Sequence, residues 1–206
     1  MVAAVPQFTA IGPVYLITER ESGSAAAAVL SASVVESLCT FAAHRRNAQI
    51  QFNATRACAS EHLAYQPLHR LAGPGFVPHV LRNVTAVMGI RLFAPHSLEV
   101  VRRMPGADSL GEEGKLVTAD LASSVVSGTL SMPFNHAFSW CACTPELQGR
   151  SWAGRAWASA EFLVSTYKTQ GVKLLARDLA VRISYVSLLM TGYRAVERRF
   201  QGYCDA

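Results

Sequence analysis

Residues 121–143 read LASSVVSGTLSMPFNHAFSWCAC, a stretch without a single Asp, Glu, Lys or Arg. A helix needs about 20 predominantly apolar residues to cross the hydrocarbon core of a bilayer. This stretch meets the length, and its interior proline, Pro133, predicts a kink. It is the segment that most strongly favours a helical membrane protein.

A second helix is predicted at residues 24–43, SAAAAVLSASVVESLCTFAA, where Glu36 is the one charged residue. Alanine and serine at close spacing let helices approach tightly in lipid, where packing replaces the hydrophobic driving force. A basic group at residues 44–46 follows directly and predicts the end of the apolar segment.

Residues 75–94 and 179–193 are also apolar, but arginines interrupt them. Arg82 and Arg91 lie in the first of these segments and Arg182 lies in the second. A charge at membrane depth costs several kcal/mol unless it faces protein or water. We therefore expect these arginines to face the bundle interior. The alternative is a soluble core helix with a snorkelling arginine.

The composition agrees with a membrane protein. Of 206 residues, 50 % are hydrophobic and 16 % are charged, against about 25 % charged in soluble domains. The net charge of +5 suits anionic lipid or acidic partner subunits. Nucleic acid is not expected, because the basic residues occur in short groups and not as a stripe interleaved with aromatics.

Enzymatic chemistry is not indicated by the motifs. The sequence has no nucleophile elbow, P-loop or dinucleotide-binding glycine pattern. The five cysteines have no framework or metal-site spacing. We therefore predict no enzymatic activity, no metal and no cofactor, and leave bound cardiolipin as an open alternative.

Long apolar segments and shorter amphipathic ones follow each other in a repeated order, with a period of roughly 95–100 residues. Residues 152–168 are predicted to form a short interfacial helix, and residues 54–69 a weaker counterpart. The sequence thus divides into four parts. These are an N-terminal segment at 1–23 that includes a remnant helix, a repeat at 24–104, a linker at 105–114 and a repeat at 115–206.

Several local stretches resemble the mitochondrial carrier family, whose members have three such repeats. The stretch SWAGRAWASAEFLVSTYKTQGVKLLARDLAVR at 151–182 is similar to the family's passage from a surface helix into an even-numbered transmembrane helix. Gly75-Phe76-Val77-Pro78 resembles the opening of another even helix. The resemblance covers roughly two repeats and implies an all-α fold of about four long transmembrane helices with short surface helices between them.

The family's signature P-x-[DE]-x-x-[KR] is degenerate in both repeats. Its acid–base pairs link neighbouring repeats in the family, and such pairs form latches that exchange partners between two states. No complete pair survives here. The corresponding positions hold Thr40, Ala42 and Arg45 in the first repeat, and Pro133, Asn135 and Phe138 in the second.

The resemblance and its losses together imply a carrier-derived structural or accessory subunit of a mitochondrial inner-membrane complex, such as a respiratory complex or the ATP synthase. Its expected partners are other subunits of that complex and anionic lipid. The alternatives are a divergent transporter of a small anionic metabolite working as a dimer, and a soluble all-α protein. The arginines expected to contact lipid or an anion are Arg82, Arg91, Arg177 and Arg182.

Overall fold

A computed structural model of the protein describes residues 4–169 and 171–204. This part of the chain consists of helices, turns and loops, and it contains no strand. The predicted all-α fold class is thereby confirmed. The number of membrane spans and their carrier-type arrangement stay predictions.

Seven α-helices follow each other along the described residues. They are α1 (Ala4–Ser22), α2 (Ala25–Ala54), α3 (Phe76–Met88), α4 (Ala94–Arg102), α5 (Glu112–Ala142), α6 (Trp152–Thr169) and α7 (Gly171–Cys204). A π-helical turn, Gly89–Phe93, joins α3 to α4 without a break. Three short 3₁₀ turns lie in the loops, at Ala59–Glu61, Ala107–Ser109 and Pro145–Leu147.

Gly23 and Ser24 mark the beginning of α2. Gly23 adopts a left-handed φ of 63°, which glycine tolerates without steric cost. The hydroxyl of Ser24 then accepts a hydrogen bond from the Ala27 amide at 3.3 Å, as expected of a helix N-cap. The helix continues to Ala54, well beyond the basic group that was predicted to end it.

The predicted amphipathic helix at residues 54–69 is wrong. This region is a loop whose only regular element is the turn Ala59–Glu61. The interfacial helix predicted at 152–168 corresponds to α6, Trp152–Thr169. The difference has a local reason, because the loop leads into Pro67 and the Gly73-Pro74-Gly75 turn, which interrupt helical hydrogen bonding.

Two stretches of the described chain are long and apolar enough to cross a membrane, Ala25–Ala54 and Phe76–Arg102. This result concerns length and composition alone. The expectation that residues 121–143 are the strongest apolar segment is wrong. That segment is uncharged, but its serines together with Asn135 and His136 lower its mean hydropathy.

Residue contacts divide the chain into two compact units. The first unit comprises the residues up to Asn83 together with Pro133–Val172, and the second comprises Val84–Met132 with the residues from Lys173 onward. Within α5 the division falls at Pro133, which cannot donate to the helical hydrogen-bond ladder. Each unit takes residues from both predicted repeats, and the repeats themselves stay a prediction.

Each unit has a small apolar core. In the first, Phe41, Phe138 and Ala142 form a buried cluster, with the Phe41 and Phe138 ring centroids 6.1 Å apart in an edge-to-face arrangement. In the second, Ile90, Val186 and Met190 are buried together. Each cluster has three buried residues, and many polar side chains are buried beside these apolar ones.

Candidate functional site

The buried residues of α2 include a group of four polar side chains. Ser33, Glu36, Ser37 and Thr40 are each no more than 1 % exposed. The three hydroxyls bond to carbonyls one turn back, at 2.7, 2.6 and 2.8 Å, so their donors are satisfied within the helix. Elsewhere on its surface the helix exposes large aliphatic side chains, namely Leu30, Leu38 and Ile50.

His79 on α3 lies against this polar group and is fully buried. Its Nε2 is 3.1 Å from the Thr40 hydroxyl. Because Thr40 already gives its proton to the Glu36 carbonyl, Nε2 must carry the proton and donate to Thr40. Nδ1 has no hydrogen-bond partner in the described chain. The signature position Thr40, predicted as an eroded proline, therefore anchors a buried histidine.

Arg82 is 7 % exposed and faces the interior of the first unit, as the sequence predicted. Its guanidinium donates twice to the Asn83 side-chain oxygen, at 3.2 and 3.1 Å, and once to Asn135 at 3.5 Å. It also lies over the Phe138 ring, 5.3 Å from its centroid. Two degenerate signature positions, Asn135 and Phe138, thus contact the same arginine.

The amide Asn83 links Arg82 to α2, since it also donates to the Ser37 hydroxyl at 3.0 Å. The sequence did not single out this residue or His79. Their spacing relative to Arg82 on α3, at i+1 and i−3, was visible, but nothing in one sequence shows which residues of α2 they meet.

The other signature positions have structural surroundings. Ala42 is buried and Pro133 lies inside α5. Arg45 is 3 % exposed and donates to the Pro67 carbonyl at 3.0 Å. Its guanidinium lies 5.1 Å from the Phe41 ring centroid. In place of an ion pair, this arginine holds a loop carbonyl.

In the part of α5 that belongs to the second unit, two buried residues and two exposed residues alternate along the helix. The buried positions include five polar residues, Asp120, Ser123, Ser124, Ser127 and Ser131, beside the apolar Ala119 and Met132. The exposed positions hold aliphatic residues: Leu121, Val125, Val126 and Leu130. Residues at i, i+3, i+4 and i+7 share one face of a helix, so α5 has a serine face inside and an aliphatic face outside.

The remaining predicted arginines lie on or against α7 in the second unit. Arg182 donates through Nε to the Ser131 hydroxyl at 3.1 Å. Arg91 donates to the Tyr193 hydroxyl at 3.4 Å. Arg177 is exposed and pairs with its neighbour Asp178 at 3.1 Å. The structure therefore does not gather the four predicted arginines around one point within either unit.

Two charge clusters at the beginning of α5 were not predicted. Asp120 is 3 % exposed. It accepts a hydrogen bond from Arg198 and forms an ion pair with Arg194, whose Nε lies 3.6 Å away, and both contacts tie α5 to α7. Lys115 and Arg102 each donate a hydrogen bond to the exposed carboxylate of Glu112, both at 2.9 Å. The aspartate could have been found from the sequence, because it continues the serine face of α5.

No protein family model, curated protein or solved structure matches this chain. Membership of the mitochondrial carrier family therefore stays a prediction.

Proposed function

We propose that the chain is a non-catalytic, carrier-derived structural subunit of a mitochondrial inner-membrane complex. In this proposal α2, α3 with α4, α5 and α7 cross the bilayer and α6 lies at its surface. The mitochondrial assignment rests on the order and spacing of the partial carrier motifs. The membrane assignment rests on side-chain burial.

The observation that carries the membrane assignment is the inverted distribution of side chains on α2 and α5. Both helices bury serines and charged groups and expose Leu, Ile and Val. A water-soluble bundle normally does the reverse. In lipid the arrangement is favourable, because aliphatic groups meet acyl chains while small and polar groups pack between helices.

The stretch Phe76–Arg102 supports the same proposal. Only 28 % of the 18-residue apolar segment within this stretch is buried in the structure, whereas the core helix of a soluble protein is mostly buried. At 1.5 Å per residue, its 27 residues span about 40 Å, enough to cross the hydrocarbon core and reach both headgroup regions.

A structural role is favoured over transport by the contacts of the interior arginines. Arg82 donates to two amide side chains, and Arg182 donates to Ser131. These groups are already engaged by the chain itself. In addition, no complete acid–base signature pair is present in the sequence, so the family's matrix latch has no counterpart.

The test is the migration of the native protein. After mild detergent extraction of mitochondria, we expect the chain to comigrate with a large complex in native electrophoresis, and to remain in the membrane pellet after carbonate treatment. Migration as a lone protein that exchanges a metabolite in liposomes would establish the transporter instead. Release into the carbonate supernatant would contradict both.

A further inference from the structure

A cavity of about 610 Å³ in the first unit is lined by three arginines, Arg45, Arg70 and Arg155. No Asp or Glu is among the described residues that line it. None of the three arginines forms an ion pair with a carboxylate in the described part of the chain. Three positive charges around one cavity repel each other unless a negative charge lies between them.

The walls of the cavity are fixed by side-chain hydrogen bonds to the backbone. Asn53 accepts from the Leu63 amide at 2.8 Å and donates to the Leu63 carbonyl at 3.0 Å. Gln49 accepts from the Gln66 amide at 3.1 Å and donates to the Ala142 carbonyl at 3.1 Å. The loop at residues 55–75, between α2 and α3, is thereby held against α2 and the end of α5.

Backbone carbonyls hold two of the arginines in place but do not use all of their N–H donors. Arg155 donates to the carbonyls of Leu147 and Gln148, both at 2.9 Å, and Arg45 donates to the loop carbonyl of Pro67. A guanidinium carries five N–H donors. Arg45 is only 3 % exposed, and its Nε atom is buried without a hydrogen-bond partner.

A glycine keeps the cavity open beside Arg45. A β-carbon added at Gly73 would lie 3.2 Å from the Arg45 Nη1 atom, closer than ordinary van der Waals contact. A larger side chain would therefore press on the guanidinium and fill the space that it borders.

We infer that this cavity binds a small, multiply charged oxyanion of the phosphate class. Guanidinium groups form paired, charge-assisted hydrogen bonds with such oxygens, and a bound dianion would compensate the cluster of positive charge. The volume lies within the usual range for small-molecule sites of about 300–1,000 Å³, so it leaves room for the organic part of a phosphoester. This inference does not depend on the proposed structural role.

The phosphate has two candidate sources, a free phosphorylated compound and a lipid headgroup. An apolar cavity of about 420 Å³ shares Ala72, Gly73, Cys141 and Arg155 with the arginine cavity. An acyl chain attached to a phosphate bound at the arginines would fit there. Both sources use the same arginine chemistry, and different probes separate them.

The test is calorimetric titration of the purified full chain in neutral detergent. One arm uses inorganic phosphate at an ionic strength held constant with chloride. The other uses phosphatidic acid in mixed micelles, with phosphatidylcholine, whose zwitterionic headgroup has no net charge, as the comparison. We expect saturable binding in at least one arm, and the arm that binds identifies the source.

The matched variants are Arg70→Gln, Arg155→Gln and the control Arg56→Gln, all of which remove one positive charge. Arg56 is exposed, pairs with Glu61 and does not line the cavity. Loss of one charge-assisted contact should weaken binding about tenfold or more in the first two variants and leave the control unchanged. Arg70 is the main test because its side chain is exposed, so its replacement should spare the fold.

Two results would overturn the inference. One is the absence of binding in both arms beyond what chloride or phosphatidylcholine produces. The other is equal weakening in all three variants, which would reflect net charge rather than this cavity.

Discussion

At the scale of single residues, Asn83 is the amide on which the buried charge of Arg82 depends. It accepts two of the guanidinium hydrogen bonds, at 3.2 and 3.1 Å. Hydrogen bonds to a charged group contribute about 1.5–3 kcal/mol each to stability. Because Asn83→Ala removes both bonds, we expect it to lower the free energy of unfolding by at least about 1.5–3 kcal/mol, measured by denaturant titration in detergent.

The matched control is Asn135→Ala, which removes a single, longer contact to the same arginine at 3.5 Å. Its effect should be below about 1 kcal/mol. Equal effects of the two substitutions, or a smaller effect at Asn83, would show that the stabilising partner of Arg82 is elsewhere.

The inward orientation of Arg82 could be predicted from the cost of charge in an apolar segment, but its partners could not. Asn83 and Asn135 lie 52 positions apart in the numbering, and no single-sequence pattern connects them. The same holds for Arg70 and Arg155, which meet Arg45 around one cavity. Each looked like an ordinary surface arginine in a loop or an amphipathic helix.

At the scale of helices, the aliphatic face of α5 gives a direct test of its environment. Leu130 is 46 % exposed and Leu68, in the loop after α2, is 54 % exposed. In lipid, a lysine at the centre of a spanning helix costs about 2.5–3.5 kcal/mol. In water, an exposed leucine-to-lysine change usually lies within about 0.5 kcal/mol of neutral.

We therefore expect Leu130→Lys to reduce the carbonate-resistant fraction after synthesis in the presence of membranes, while Leu68→Lys leaves it unchanged. The same substitution at similar exposure makes the two variants comparable. If both behave like the unmodified chain, α5 does not face lipid.

A second prediction at this scale tests how closely the π-helical turn packs against α5. A β-carbon at Gly89 would lie 2.7 Å from the Ser127 Cβ and Oγ atoms, a distance at which one helix must move. Overpacking of this kind costs about 1–3 kcal/mol. We expect Gly89→Ala to lower the melting temperature, and to have a much smaller effect in a Ser127→Gly background, since the two side chains are directly coupled.

Gly192→Ala is the control for this pair. An added β-carbon there meets nothing within 4 Å, and replacing glycine by alanine inside an exposed helix stabilises it by about 0.5–1 kcal/mol. A loss of stability at Gly192 similar to that at Gly89 would remove packing as the explanation.

The helices themselves show what periodicity can and cannot predict. The amphipathic pattern at 152–168 predicted α6, Trp152–Thr169, almost to the residue. A weaker pattern at 54–69 predicted a helix where a loop is found, because Pro67 and the side chains of Asn53 and Gln49 favour a fixed irregular path. For α5, absence of charge suggested an apolar span, whereas the spacing of its serines was the more informative feature.

At the scale of the whole molecule, the question is which surface meets lipid and which meets water, and two cysteines distinguish them. Cys39 lies in the middle of α2 and Cys58 in the loop that follows, and both thiols are exposed. In the proposed arrangement Cys39 faces acyl chains and Cys58 faces water. A polar maleimide does not enter hydrocarbon, and the reactive thiolate does not form there.

We therefore expect a membrane-impermeant maleimide added to open membrane sheets to label Cys58 and to leave Cys39 unmodified, as read by peptide mass mapping. After denaturation both should react, which shows that Cys39 is chemically competent. In a water-soluble protein, two exposed thiols would label at similar rates before denaturation. Rapid labelling of Cys39 in the native protein would therefore contradict a lipid-facing α2 and, with it, the proposed membrane subunit.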